Sequence, residues 1–227
     1  MPKKSLLWLI PILLVIMITP FTPFLDLKIS HYFYTSSTET VHGHFTSNAF
    51  LKFLYNYGPM PALIVGLGSA FFYLLSFLIS SWKKWRTCAL YLLLSYALGA
   101  GVIVHAALKD NWGRPRPVQT TEFGGIQPFR PYYSPNFTHQ PEPSKSFACG
   151  HCSTGFYFFA LYFLGKRLKS PLVCWGGLAF ALCLGISLSV MRIALGGHFF
   201  SDTLMSALIM WLTALTLDWL LFPQEQE

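Results

Sequence analysis

PLVCWGGLAFALCLGISLSVMRIALGGHFFSD, residues 171–202, opens with 21 residues that carry no charge and then places Arg192, His198 and Asp202 within eleven positions. A bilayer core takes roughly 20 apolar residues in a helix. Residues 171–191 therefore read as a membrane span, with Arg192 marking its end. The same reading finds apolar runs at residues 6–25, 61–80, 87–108, 151–165 and 199–222, of which 151–165 is short. The sequence thus predicts an all-α, polytopic membrane protein of six transmembrane helices, forming one domain over residues 1–227. Composition agrees, since 53% of the residues are apolar and 11% charged, against about 25% charged in a typical soluble domain. That excludes a disordered chain and an ordinary soluble enzyme. Five Cys without a repeating spacing exclude a disulfide framework, and Cys88, Cys174 and Cys183 read as small lipid- or core-facing residues.

The formal charge of +7 reads as orientation of the spans and contact with lipid headgroups, not as affinity for nucleic acid. Lys3 and Lys4 precede the first run, Lys83, Lys84 and Arg86 join the second to the third, and Lys166, Arg167 and Lys169 join the fourth to the fifth. With six spans these short basic segments and the C-terminus fall on one side, which the positive-inside rule makes cytoplasmic. Thr19-Pro20-Phe21-Thr22-Pro23 follows the first run where a signal peptide needs small residues, so a retained helix is expected. Two long segments remain outside. Residues 26–58 carry Leu27, Ile29, Tyr32 and Phe33, then Phe50, Leu51, Phe53 and Leu54, as expected of short interfacial helices. Residues 109–150 are rich in Pro and aromatic residues without helical period, as in a functional surface loop.

Charged groups at the centre of a bilayer cost about 2.5–3.5 kcal/mol on insertion scales, so their placement is informative. Lys109, Arg114, Arg116, His151, Arg192, His198 and Asp202 all fall at the outer ends of the predicted spans. Three or more cations and two histidines at one interface suit a phosphate-like anion. His198 and Asp202 stand four apart on one helix face. A carboxylate there either caps the helix or fixes the imidazole tautomer, freeing the other ring nitrogen as a nucleophile. His105, one turn before Lys109, reads as a core histidine, and His31, His42, His44 and His139 as solvated loop residues.

These residues make the chain resemble the type-2 phosphatidic acid phosphatase superfamily of membrane lipid phosphate phosphatases. The first part of that family's pattern, Lys, six residues, Arg-Pro, runs here from Lys109 to Arg116-Pro117, and Arg114-Pro115 is too close to Lys109 to fill it. The second, Pro-Ser-Gly-His, reads Ala148-Cys149-Gly150-His151. The third, Ser-Arg, five residues, His, three residues, Asp, reads Met191-Arg192, His198 and Asp202. The resemblance implies a hydrolase that uses neither metal nor cofactor. His198 would attack phosphorus to give a phosphohistidine, with Asp202 orienting it. Lys109, Arg116 and Arg192, with Cys149 and Gly150, would bind the phosphate. His151 would protonate the leaving oxygen and then activate water. Cys149 stands in for the family's Ser as a weaker donor.

Other readings weigh less. Cys149-Gly150-His151-Cys152 also spells a thiol–disulfide exchange motif, whose usual setting is a soluble βαβ unit, and a Cys149–Cys152 oxidation in an outer compartment stays open. A zinc site lacks a second ligand pair, and a lipid-binding or transport protein would place charge at mid-depth. The short basic loops and compact size look bacterial, implying an inner-membrane enzyme that faces the periplasm and works on a lipid substrate within the bilayer. Phe123-Gly124-Gly125 and Phe129 resemble the loop of lipid A phosphatases. Lipid A phosphate is therefore the expected substrate, ahead of undecaprenyl pyrophosphate, phosphatidylglycerol phosphate and phosphatidic acid, and phosphotransfer to another lipid is the alternative to hydrolysis.

Overall fold

Backbone amides find no partner in hydrocarbon, so a chain this apolar satisfies them inside helices. The structure, a computed structural model, describes residues 4–36, 43–138 and 141–222; Lys3, His42 and His139 lie outside these. Its order is α1 (Lys4–Ile18), α2 (Thr22–Tyr32), an antiparallel pair β1 (Tyr34–Thr35) and β2 (His44–Phe45), α3 (Ala49–Tyr57) and α4 (Met60–Leu75). Then come α5 (Arg86–Leu94), which continues as a π-helix over Ser95–Lys109, α6 (Gly150–Phe156), α7 (Phe159–Arg167), α8 (Pro171–Ala194) and α9 (Phe200–Leu221).

Among the described residues, five helical stretches are long and apolar enough to cross a membrane: Ser5–Tyr32, Ala49–Leu75, Ser80–Lys109, Pro171–Ala194 and Phe200–Leu221. Leu13, Ile16, Leu67, Phe71, Leu172, Ile186 and Trp219 stand exposed along them, as lipid-facing side chains do. The first stretch corrects the sequence reading, because it runs past residue 25 and takes up Leu27, Ile29 and Tyr32. Pro20 and Pro23 do not end it, since each falls in the first turn of a helical segment, where no N–H is needed. The second expected interfacial helix forms as α3, but it too belongs to a long stretch, Ala49–Leu75.

The fourth predicted span is also corrected. Residues 151–165 form two short helices, α6 and α7, with bonds from Ala160 N to Tyr157 O and Leu161 N to Phe158 O tightening the join. The reason is position. Cys152 through Ala160 and Tyr162 through Gly165 are all buried, with α8, α9 and the π-helix packed around them. A helix walled off from lipid needs shape more than greasiness, so this one carries aromatic, hydroxyl and small residues. Its contact with α8 depends on Gly155, where a Cβ would lie 2.6 Å from the Gly185 Cα.

The basic loops gather at one end of the bundle. Arg86 donates to the Ser76 carbonyl after α4, Tyr91 of α5 meets Phe222 after α9 edge to face, and Arg167 of α7 grips Asp218 of α9 through two bonds of 2.8 and 2.7 Å. The opposite end is closed by an aromatic cluster of Phe45, Phe123 and Phe199 with Leu27, Phe33, Tyr34 and Phe129 around it. The predicted surface loop is folded onto that end. Trp112 donates to the Tyr132 carbonyl, Asn136 N to the Trp112 carbonyl and Ser146 N to the Arg114 carbonyl.

Replacing Gly155 by Leu should separate α6 from α8 and cost about 3 kcal/mol or more. Leu at Gly176, where no atom lies within 4 Å of an added Cβ, should be neutral. Thermal midpoints of the two variants in the same detergent check this.

Candidate active site

The end closed by the aromatic cluster receives the termini of four helices. Lys109 is the last residue of the π-helix, His151 lies in the first turn of α6, Arg192 in the last turn of α8, and Asp202 in the first turn of α9. Arg116 follows Lys109 in extended backbone, with its N–H bonded to Gln119 Oε1. Between α8 and α9, Gly197 lets the Arg192 guanidinium approach the turn, since a Cβ there would sit 2.3 Å from Arg192 Nη2. His198 follows and is fully buried.

Lys109, Arg116 and Arg192 are close enough to act on one another's charge, and Arg192 and Lys109 act on both His151 and His198. The structure thus brings together the six side chains of this site singled out from sequence. Among the described residues, Arg116 Nε, Arg192 Nε and both ring nitrogens of His198 are buried without a hydrogen-bond partner. Unmade hydrogen bonds on buried polar groups are costly, so a pocket of bare donors is expected where an anion with several acceptor oxygens binds.

Asp202 caps α9 and also faces His198. Its Oδ2 accepts from the Phe199 N–H at 2.8 Å, capping α9, and from Ser146 Oγ at 2.6 Å. The same oxygen lies 3.6 Å from His198 Nδ1. The carboxylate thus faces Nδ1 from just beyond hydrogen-bond distance, and Nε2 is the ring nitrogen turned away from it. Burial pushes the His198 imidazole down to about 4, Asp202 pulls the other way, and the charges of Arg192 and Lys109 lower it further. The ring is neutral at ordinary pH, as a nucleophile must be.

Cys149 and Gly150 form the start of α6. Cys149 Sγ caps the helix by accepting from the Cys152 N–H at 3.2 Å, as a Ser oxygen would. It is bonded to Cys152 in a disulfide, so the expected thiol donor carries no S–H here. Gly150 makes room for His105, whose Nε2 would lie 2.5 Å from an added Cβ. His105 is no core residue, since it is exposed even with its ring against the α6 start. His31 is in α2, not a loop, with its ring against Phe123. Among the described residues no group of three His, Cys, Asp or Glu side chains is arranged to hold a metal.

A family model described as the PAP2 superfamily matches residues 89–225, which contain all of these termini. The chain belongs to the PAP2 superfamily. It is 30% identical over 205 residues to a lipid A 4'-phosphatase of Francisella tularensis subsp. novicida, covering 90% of this chain and 89% of that protein. Lipid A 4'-phosphatases of Rhizobium etli and Rhizobium leguminosarum are 33% and 32% identical over 119 residues, which is 52% of this chain and 42% and 46% of theirs. No solved structure matches.

Sequence reading of this PAP2 site missed several residues. Arg114, set aside on spacing, is fully buried and bonds Asp202, Ser201 and Asp26. Asp26 carried a signal, as a lone acid in an apolar stretch. Tyr55 of α3 carried none. Its ring stacks on His151 at 4.6 Å, its carbonyl lies 3.2 Å from His151 Nε2, and Arg192 lies over its ring face.

Burial of neutral His198 has a consequence for stability. The unfolded chain takes up a proton below the ordinary histidine value of 6.5, whereas folded His198 resists it to about 4. This penalty is absent above pH 6.5 and grows as pH falls, reaching about 2 kcal/mol between pH 7 and 5. His198→Asn should lack that share, so its thermal midpoint should fall less steeply over this range than that of the wild type.

Proposed function

We propose that this protein is a lipid phosphate phosphatase that removes a phosphate monoester from lipid A at the periplasmic face of the bacterial inner membrane, through a phosphohistidine at His198. The observation that carries this reading is the set of buried, unpartnered nitrogens of Arg116, Arg192 and His198 at one end of an apolar bundle. Membership of the PAP2 superfamily supports the reaction type, and the shared name of three relatives supports the lipid.

In the proposed reaction Lys109, Arg116 and Arg192 hold the non-bridging oxygens and spread the charge of the transition state. His198 Nε2 forms a bond to phosphorus as the bond from phosphorus to the sugar oxygen breaks, and His151, protonated once the bound phosphate offsets the charges of Lys109 and Arg192, gives that oxygen a proton. Asp202 keeps the proton on Nδ1 and stabilises the positive charge that grows on the ring. His151, now neutral, takes a proton from water, the water oxygen bonds to phosphorus, and the P–N bond breaks to release inorganic phosphate. Cys149 and Gly150 take part through the α6 backbone, and side chains supply all the positive charge. The α6–α7 pair completes six crossings with the five long apolar helices. The basic loops then lie in the cytoplasm and the site opens to the periplasm, at a depth where acyl chains stay in the bilayer.

Phosphate release from a panel of lipid phosphates tests the substrate. Lipid A should be hydrolysed fastest, ahead of undecaprenyl pyrophosphate, phosphatidylglycerol phosphate and phosphatidic acid. Appearance of the phosphate on a second lipid would instead identify a transferase. His198→Ala should abolish both turnover and an acid-labile phosphoenzyme, and Asp202→Asn should lower kcat by about 100-fold or more. Full activity of His198→Ala, or loss on chelation restored by added metal, would overturn the assignment.

Orientation is tested separately. An impermeant thiol reagent applied to intact spheroplasts should label a single Cys placed at Thr138 and spare one at Ser81. The opposite pattern would put the site in the cytoplasm.

A further inference from the structure

Arg114 and Asp26 sit behind the nucleophile, on the side of Asp202 turned away from the cations. Both are fully buried, as are Ser201 and Asp202. The Arg114 guanidinium donates from Nη2 to Asp26 Oδ2 at 2.8 Å, from Nη1 to Ser201 Oγ at 2.8 Å and to Asp202 Oδ1, and from Nε to the Arg130 carbonyl at 2.9 Å. Its plane lies over the Phe199 ring, 4.6 Å from the centroid. Asp26 is held equally firmly. Its Oδ1 accepts from the Ser201 N–H and its Oδ2 from Ser201 Oγ, both at 2.7 Å.

An ion pair whose task was only to join α2 to the rest of the bundle would need one acid and one base. Here a single arginine serves two carboxylates, and the second belongs to the residue that faces His198. The charge count matters. Arg114 alone beside Asp202 would cancel the charge that Asp202 offers the imidazole. With Asp26 on the far side, the three side chains sum to one net negative charge, and the only member of the trio that faces a catalytic side chain is Asp202.

We propose that Asp26 and Arg114 are positioning residues of the reaction. Arg114 clamps the Asp202 carboxylate in the orientation that meets His198 Nδ1, and Asp26 offsets the Arg114 charge so that Asp202 keeps its pull on the ring. The inference rests on the phosphohistidine reading of His198. Arg114 is fully buried and gives four of its five N–H donors to the protein, which separates it from Arg116 two residues on, whose Nε is unpartnered. It also makes α2, a segment outside the residues matched by the family model, part of the working site.

Steady-state hydrolysis of lipid A in detergent micelles, followed across pH, tests this with three variants. Asp26→Asn leaves the trio with no net charge. It should lower kcat by about ten-fold, leave KM unchanged and move the acid limb of kcat/KM to lower pH, because His198 loses part of its anionic support. A merely structural contact would lower the fraction of active protein without moving that limb. The double variant Asp26→Asn with Arg114→Gln restores the net charge, and the Gln amide can donate to the Asp202 carboxylate, which also keeps its bonds from the Phe199 N–H and Ser146 Oγ, so it gives a reading even where the single variant does not fold. Its acid limb should return to the wild-type position while kcat stays low, because the guanidinium clamp is gone. Wild-type kcat in the double variant, or a wild-type kcat and acid limb in folded Asp26→Asn, would overturn the inference. His198→Ala is the control: wild-type turnover there would refute the phosphohistidine reading itself, whatever the Asp26 variants do.

Discussion

The Asp202 carboxylate is the point at which separate lengths of chain are tied together. One oxygen accepts from the Phe199 backbone and Ser146 and faces His198, and the other is held by Arg114. Through those contacts the start of α9, the loop before α6, the segment after the π-helix and, by way of Asp26, the first long helix share one buried acid. A carboxylate without water is tolerated only when donors surround it, so these pieces have one arrangement that satisfies it. The positions of Arg116 and His198 follow, since each is a short stretch of chain away from a group bonded to Asp202.

That anchoring permits the unusual feature next to it. Cations and an imidazole are held close together, with several of their nitrogens unbonded. Mutual repulsion would scatter them if they were carried on mobile loops. Here they are carried on helix ends fixed by packing, and the cost of desolvating them is met by the lipid-buried bundle and by Asp202. The same desolvation keeps His198 neutral, as the proposed nucleophile has to be, and it strengthens the attraction for an anion entering the site.

The central position of α6 and α7 explains why composition misjudged them. Hydropathy measures preference for lipid, and this helix pair meets little of it. It is packed on other helices by Gly155 against Gly185 and by aromatic contacts such as Phe159 on Trp211. At its start, the disulfide replaces a polar cap with a covalent one, while Cys149 still accepts from the backbone as the family's Ser would. The family pattern is thus met in capping geometry, even though the S–H expected from the sequence is absent.

The sequence by itself determined the long apolar helices, the gathering of the basic loops at one end of the bundle and the meeting of Lys109, Arg116, His151, Arg192, His198 and Asp202 at the other. Each of these is written in local terms: a run of apolar residues, a charge at the end of a run, a fixed spacing along one helix. The tertiary structure alone decided what Arg114, Asp26 and Tyr55 do. It also decided that the first helix reaches Tyr32, that residues 151–165 break in two, and that the Cys149 sulfur is bonded to Cys152. These outcomes depend on which distant groups meet. Asp26 and Arg114 are 88 residues apart, and neither neighbourhood points to the other as its partner. Their pairing becomes necessary only when packing removes water from both, and that loss of water is a property of the assembled bundle and of no single stretch of the chain.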